Sequence, residues 1–160
     1  MAAGNENETL LLKVELRSDP EILSVVRRAV RQLATVVGLS ERECRWVTLA
    51  VDEALANIIR HAYLNRRGQP IQLSCRRLGP RGSGRHHTRL EFILADRGRG
   101  VDPAELRARP LDDLRPGGLG MHFIGEIMDE VEYKRGAGRN QLRLVKYLTG
   151  KNPAESPQGE

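Results

Sequence analysis

The 160-residue chain predicts an α+β fold, a two-layer sandwich with helices on one face of a mostly antiparallel, mixed sheet. Three observations point there. Hydrophobic periodicity alternates between two-residue and helical spacing in the order strand, helix, helix, strand, strand, helix, strand, strand. The usual phosphate-binding signatures are missing: there is no G-x-x-x-x-G-K-S/T loop and no G-x-G-x-x-G between a strand and a helix. At this length, with 39% hydrophobic residues, one domain can bury a core without disulfides or metals.

Taken in order, Thr9–Val14 reads as a first strand, leaving residues 1–8 as a flexible polar tail before a domain spanning 9–150. Ser18-Asp19-Pro20-Glu21 is a helix start, with Ser18 or Asp19 capping and Pro20 in the first turn. A stripe through Ile22, Val25, Val26, Ala29, Val30 and Leu33 stops before Gly38. Ser40 opens a second helix with Glu43 three residues on, a capping box. Its stripe runs through Trp46, Val47, Ala50, Val51, Leu55 and Ile58 and ends near Tyr63. Ile71–Arg76 and Thr88–Ala95 read as neighbouring strands joined by the basic loop 79–85. Residues 102–117 carry three prolines and no sustained periodicity, which predicts a mobile loop. A third helix over about 118–128 and strands Glu130–Lys134 and Gln141–Tyr147 close the fold, and 151–160 form a flexible polar tail.

Composition narrows the function classes. A net charge of +5 invites nucleic acid, but aromatics are only 4% and the arginines are dispersed, so no direct nucleic-acid binding is expected. No apolar run is long enough to cross a bilayer and no signal peptide opens the chain, which predicts a cytoplasmic protein without membrane attachment. Cys44 and Cys75 have neither zinc-site nor disulfide spacing.

Three patterns could carry chemistry. Glu53 and Asn57 share a helix face at i, i+4, and His61 continues the row. An amide oxygen suits Mg²⁺, and a neighbouring carboxylate can take a proton from a hydroxyl or water. Asp96 ends an apolar strand and enters a turn with Gly98 and Gly100. Its carboxylate can accept from an exocyclic amine, and the glycines allow positive φ and close approach to a flat base. Gly117-Gly118-Leu119-Gly120 starts a helix whose unpaired N–H groups favour phosphate. Met121, Ile124, Ile127 and Met128 read as its core side.

Glu53-Ala54-Leu55-Ala56-Asn57 resembles the N box of the gyrase, chaperone, histidine-kinase and mismatch-repair ATPases, the Bergerat fold. Asp96-Arg97-Gly98-Arg99-Gly100 resembles the first glycine box of that superfamily and Gly118-Leu119-Gly120 its second, over residues 10–148. Within it, Val51–Tyr63, Gly117–Ile124 and Met128–Val131 are similar to anti-sigma factor serine/threonine kinases of the RsbW and SpoIIAB type. The resemblance implies an ATP-dependent kinase in a partner-switching circuit. Its partners would be an anti-anti-sigma (STAS-type) protein, which it phosphorylates, and a sigma factor, and it would form a homodimer. Glu53 would be the general base, Asn57 the Mg²⁺ ligand and Asp96 the adenine selector. Gly98, Gly100, Gly117, Gly118, Leu119, Gly120 and Met121 would frame ATP under a lid formed by residues 102–117. Arg115 beside the second glycine box reads as a solvated lid arginine with phosphate neutralisation as the other reading, and Asn140 stands where the family often has a threonine. A regulatory module that holds ATP without transferring it, and a plain ATPase, are the alternatives.

Overall fold

The computed structural model describes residues 6–80, 88–100 and 119–148. Five strands form one sheet in the order β1 (Glu6–Arg17), β2 (Pro70–Pro80), β3 (Arg89–Asp96), β5 (Arg139–Tyr147), β4 (Glu130–Gly136). All four pairings are antiparallel, so the sheet is not mixed. Helices α1 (Leu23–Val37), α2 (Glu41–Asn57) and α3 (Leu119–Ile127) cover one face, with α2 between the other two. Val47, Val51, Leu55, Leu73, Phe92, Leu94, Ile124 and Leu144 meet there in a continuous core.

Local chemistry sets the element ends. Ser40 caps α2 through the expected capping box, its side chain accepting from Glu43 N while Glu43 accepts from Ser40 N. Gly38 closes α1 in the left-handed region, at φ 99°. The start of α1 differs from expectation: a 3-10 turn at Pro20–Ile22 precedes it, and Asp19 makes no side-chain cap bond. Ser18 is buried instead, bonding Arg66 O and Gln69 N across the β1–β2 entry. The β4–β5 hairpin turns through Ala137 and Gly138 at φ 49° and 72°, the paired positive values of a type I′ turn. Strand β1 starts at Glu6, inside the stretch expected as tail.

Three expected core residues are outside. Val25 is 59% exposed and Trp46 43%, and Ala29 is exposed as well. All three lie at the margin of their helical stripe, where the apolar arc is wider than the buried one.

The face away from the helices buries charged groups beside apolar ones such as Val145 and Ala95. Glu91, between core-facing Leu90 and Phe92, accepts from Arg143 Nε at 2.5 Å. Arg143 Nη1 also reaches Glu130 at 2.8 Å, and the Tyr147 hydroxyl donates to Glu130. Those two donors hold the Glu130 carboxyl below its ordinary pKa. No helix of the described residues is long and apolar enough to cross a membrane.

Candidate functional site

The site begins at the end of α2. Regular α-helix stops at Asn57, and Ile58–Ala62 continue as a π-helix, in which Tyr63 N bonds Ile58 O at 2.9 Å. A widened turn redirects carbonyls that a regular helix would consume. Ala62 O accepts from Arg99 N at 2.8 Å, in the loop after β3. The buried Tyr63 hydroxyl accepts from Arg97 N at 2.9 Å and donates to Pro70 O at 2.5 Å. Burial raises the Tyr63 phenol above its usual pKa and keeps that donor protonated. The helix carrying Glu53 and Asn57 is thereby fastened to the loop carrying Gly98.

Glu53 and Asn57 are both partly exposed on one side of α2. Arg60 joins them, its Nη2 2.8 Å from Glu53 Oε1 and 3.4 Å from Asn57 Oδ1. Nothing in the spacing of Glu53, Asn57 and His61 singled out Arg60. On the other side of Glu53 stands the first turn of α3: a Cβ on Gly120 would overlap the Glu53 carboxylate. The second glycine cluster therefore meets the carboxylate of the first pattern directly.

Asp96, 6% exposed, is the register partner of Asn140, 3% exposed, across β3 and β5. Asn140 Nδ2 donates to Asp96 Oδ1 at 2.8 Å and to Gly98 O at 3.1 Å. Gly98 N donates to the same Oδ1 at 2.8 Å, and the Tyr133 hydroxyl to Asn140 Oδ1 at 3.2 Å. Among the described residues, both donors to Asp96 converge on Oδ1 and none on Oδ2. Desolvation pushes the Asp96 pKa up, and the bonds from Asn140 and Gly98 oppose it. Asn140 is thus tied to Asp96 itself. Its signal was readable only through the β3–β5 register, which the sequence did not supply.

The glycines of the first cluster act differently from expectation. Neither Gly98 nor Gly100 has a positive φ. What Gly98 needs is room, because a Cβ there would lie 2.5 Å from Ala62 O. A Cβ on Gly100 would strike the Arg135 side chain, which is long enough to move. Leu119 opens α3, and Met121 is half-buried against the core. Gly117, Gly118, Arg115 and the expected lid lie outside the described residues.

A group such as MgATP has to find a base acceptor, a hard oxygen and a proton acceptor here. Asp96, whose Oδ2 takes no hydrogen bond from the described residues, Asn57 and Glu53 fit those needs. No cluster of three or more His, Cys, Asp or Glu among the described residues could hold a metal by itself.

The histidine kinase-like ATPase domain matches residues 16–146. Serine-protein kinase RsbW of Bacillus pumilus is 30% identical over 151 residues, covering 89% of each chain. RsbW of Halalkalibacterium halodurans is 30% identical over 152 residues, with 90% of this chain and 86% of that one covered. RsbW of Bacillus subtilis is 26% identical, over 91% and 90% of the two chains. The crystal structure of the SiaB–SiaC complex from Pseudomonas aeruginosa contains a chain with the same fold. It superposes with a TM-score of 0.54 at 19% identity, over 85% of this chain and 89% of that one. The N-box spacing, the two glycine clusters and these relatives agree: the chain belongs to the histidine kinase-like ATPase family and, within it, to the RsbW-type serine-protein kinases.

Proposed function

We propose that the protein transfers the γ-phosphoryl group of ATP, with Mg²⁺, to a serine or threonine of an anti-anti-sigma (STAS-type) protein. In the same circuit it holds a sigma factor inactive as a homodimer. The observation that carries this reading is the packing of Gly120 against Glu53, which sets a proton acceptor where the glycine-rich helix start meets the N-box pair. In this reading Asp96 Oδ2 accepts the adenine amine, while Asn140 and Gly98 keep the carboxylate oriented. Asn57 offers its Oδ1 to the cation, which would neutralise charge on the phosphates. Glu53 takes the proton of the attacking hydroxyl as its oxygen bonds the γ-phosphorus and the bond from that phosphorus to the β–γ bridging oxygen breaks, releasing ADP. Arg60, paired with Glu53 here, is placed to exchange that carboxylate for phosphate oxygens.

The test is incubation with γ-labelled ATP, Mg²⁺ and the STAS-type protein of a neighbouring gene. Label on a serine or threonine is expected, falling about 10²–10⁴-fold in Glu53→Gln with ATP still bound. Free phosphate without labelled protein would make the chain an ATPase. Bound, intact ATP would make it a regulatory module.

A further inference from the structure

We infer that the exposed apolar row Trp46–Leu49, with Phe123 across from it, is the docking surface for the phosphoryl-accepting protein, and that this protein meets it with an apolar, acidic surface. The inference rests on the kinase reading above.

Trp46, Leu49, Glu53 and Asn57 recur at helical spacing along one side of α2. Trp46 is 43% exposed and Leu49 44%, so the row that ends in the proton acceptor begins in uncovered hydrophobic surface. Seven residues of helix separate Trp46 from Glu53, about 10 Å. Helix α3 runs antiparallel beside α2. Its first turn packs on Glu53 through Gly120, and at its other end Ile127 O accepts from Lys146, whose charge also reaches Glu43 in the first turn of α2. Phe123, 45% exposed, lies one turn past Gly120 on that helix. Three large apolar side chains thus stand uncovered on the two helices that meet at Glu53.

Two arguments choose the occupant. A protein hydroxyl delivered to Glu53 brings its surrounding surface down on the turns next to Glu53, and an interface of ordinary size covers about 800 Å² per partner. The row lies within that footprint, and tryptophan is enriched among the residues that dominate such interfaces. The unpaired charge on the flank of the row is basic. Arg42 and Arg45 are exposed on the same helix, neither with an ion-pair partner among the described residues, whereas the nearby acids Asp52 and Glu126 are held by Arg27 and His122. A complementary partner is acidic around its apolar contact. A second copy of this chain, also at net charge +5, would bring like charge to that flank.

Trp46 is the only tryptophan, so its fluorescence reads this surface alone. The full-length protein, loaded with a non-hydrolysable ATP analogue, is titrated with the STAS-type protein. A saturable blue shift is expected, and Leu49→Asp or Phe123→Ser should weaken the complex at least tenfold. In the labelled-ATP assay the same variants should raise KM for the acceptor at least tenfold and leave kcat and ATP affinity within about twofold. Arg42→Glu with Arg45→Glu should weaken binding and flatten its salt dependence. The substituted side chains are exposed, and unchanged thermal melting would confirm folding. A blue shift on adding nucleotide alone would assign the row to residues 101–118 of this chain. A shift that follows the protein's own concentration would assign it to a second copy. Either result overturns the inference, as does phosphoryl transfer with unchanged acceptor KM in Leu49→Asp. Saturable binding without transfer would sink the kinase reading instead and leave the docking surface standing.

Discussion

Asp96 couples the candidate site to pH in an unusual direction. Burial raises its pKa above the unfolded value, so between the two values the folded state holds the proton more tightly. Stability from this group is therefore fully present at low pH and declines as pH rises through the folded pKa. Asp96→Asn should remove that dependence, visible as a flatter change in urea midpoint as pH rises above the ordinary carboxylate range; an unchanged slope would contradict it. Glu53, Asn57 and Asp96 stood out as candidates because spacing and position at a strand end mark them. Their partners were not. Asn140 reaches Asp96 only through the pairing of two strands 44 residues apart in sequence, and Arg60 reaches Glu53 by folding back along its own helix. Cross-strand register and side-chain direction have no signature in a one-dimensional pattern.

At the scale of elements, the helix and strand order was legible almost throughout, since amphipathic stripes and the Ser40 capping box are local signals. The π-helix over Ile58–Ala62 was hidden, because it answers to Arg99 and Tyr63 rather than to its own composition. The positive φ expected at Gly98 and Gly100 was also misplaced: close packing, not a left-handed backbone, excludes a side chain at Gly98. The same constraint at the start of α3 gives a sharp expectation. Gly120→Ala gains helix propensity of about 1 kcal/mol and drives a methyl into the Glu53 carboxylate. Thermal stability should hold or rise while phosphoryl transfer falls at least tenfold. Wild-type transfer in that variant would show that Glu53 can move without cost.

For the molecule as a whole, the sheet has one helix-covered face and one face knitted by charge. Glu91 is 7% exposed and depends on Arg143 for compensation. Arg143→Met leaves that carboxylate buried and unpaired, at a cost of about 3 kcal/mol. Glu91→Gln in the same background should recover part of it, which denaturant unfolding of the single and double variants would measure. The composition did not announce this network, since a strand reading apolar-polar-apolar looks the same whether its polar face is wet or closed. The position of Asp96 and Asn140 has one more consequence. They are neighbours on two inner strands of the sheet, so any change at either must satisfy β3, β5 and the loop after β3 together. The exposed parts of Trp46 and Leu49 answer only to solvent and to whatever lands on them. Descendants of such a chain are free to change associates by surface substitution alone, while the interior end of the site stays as inherited.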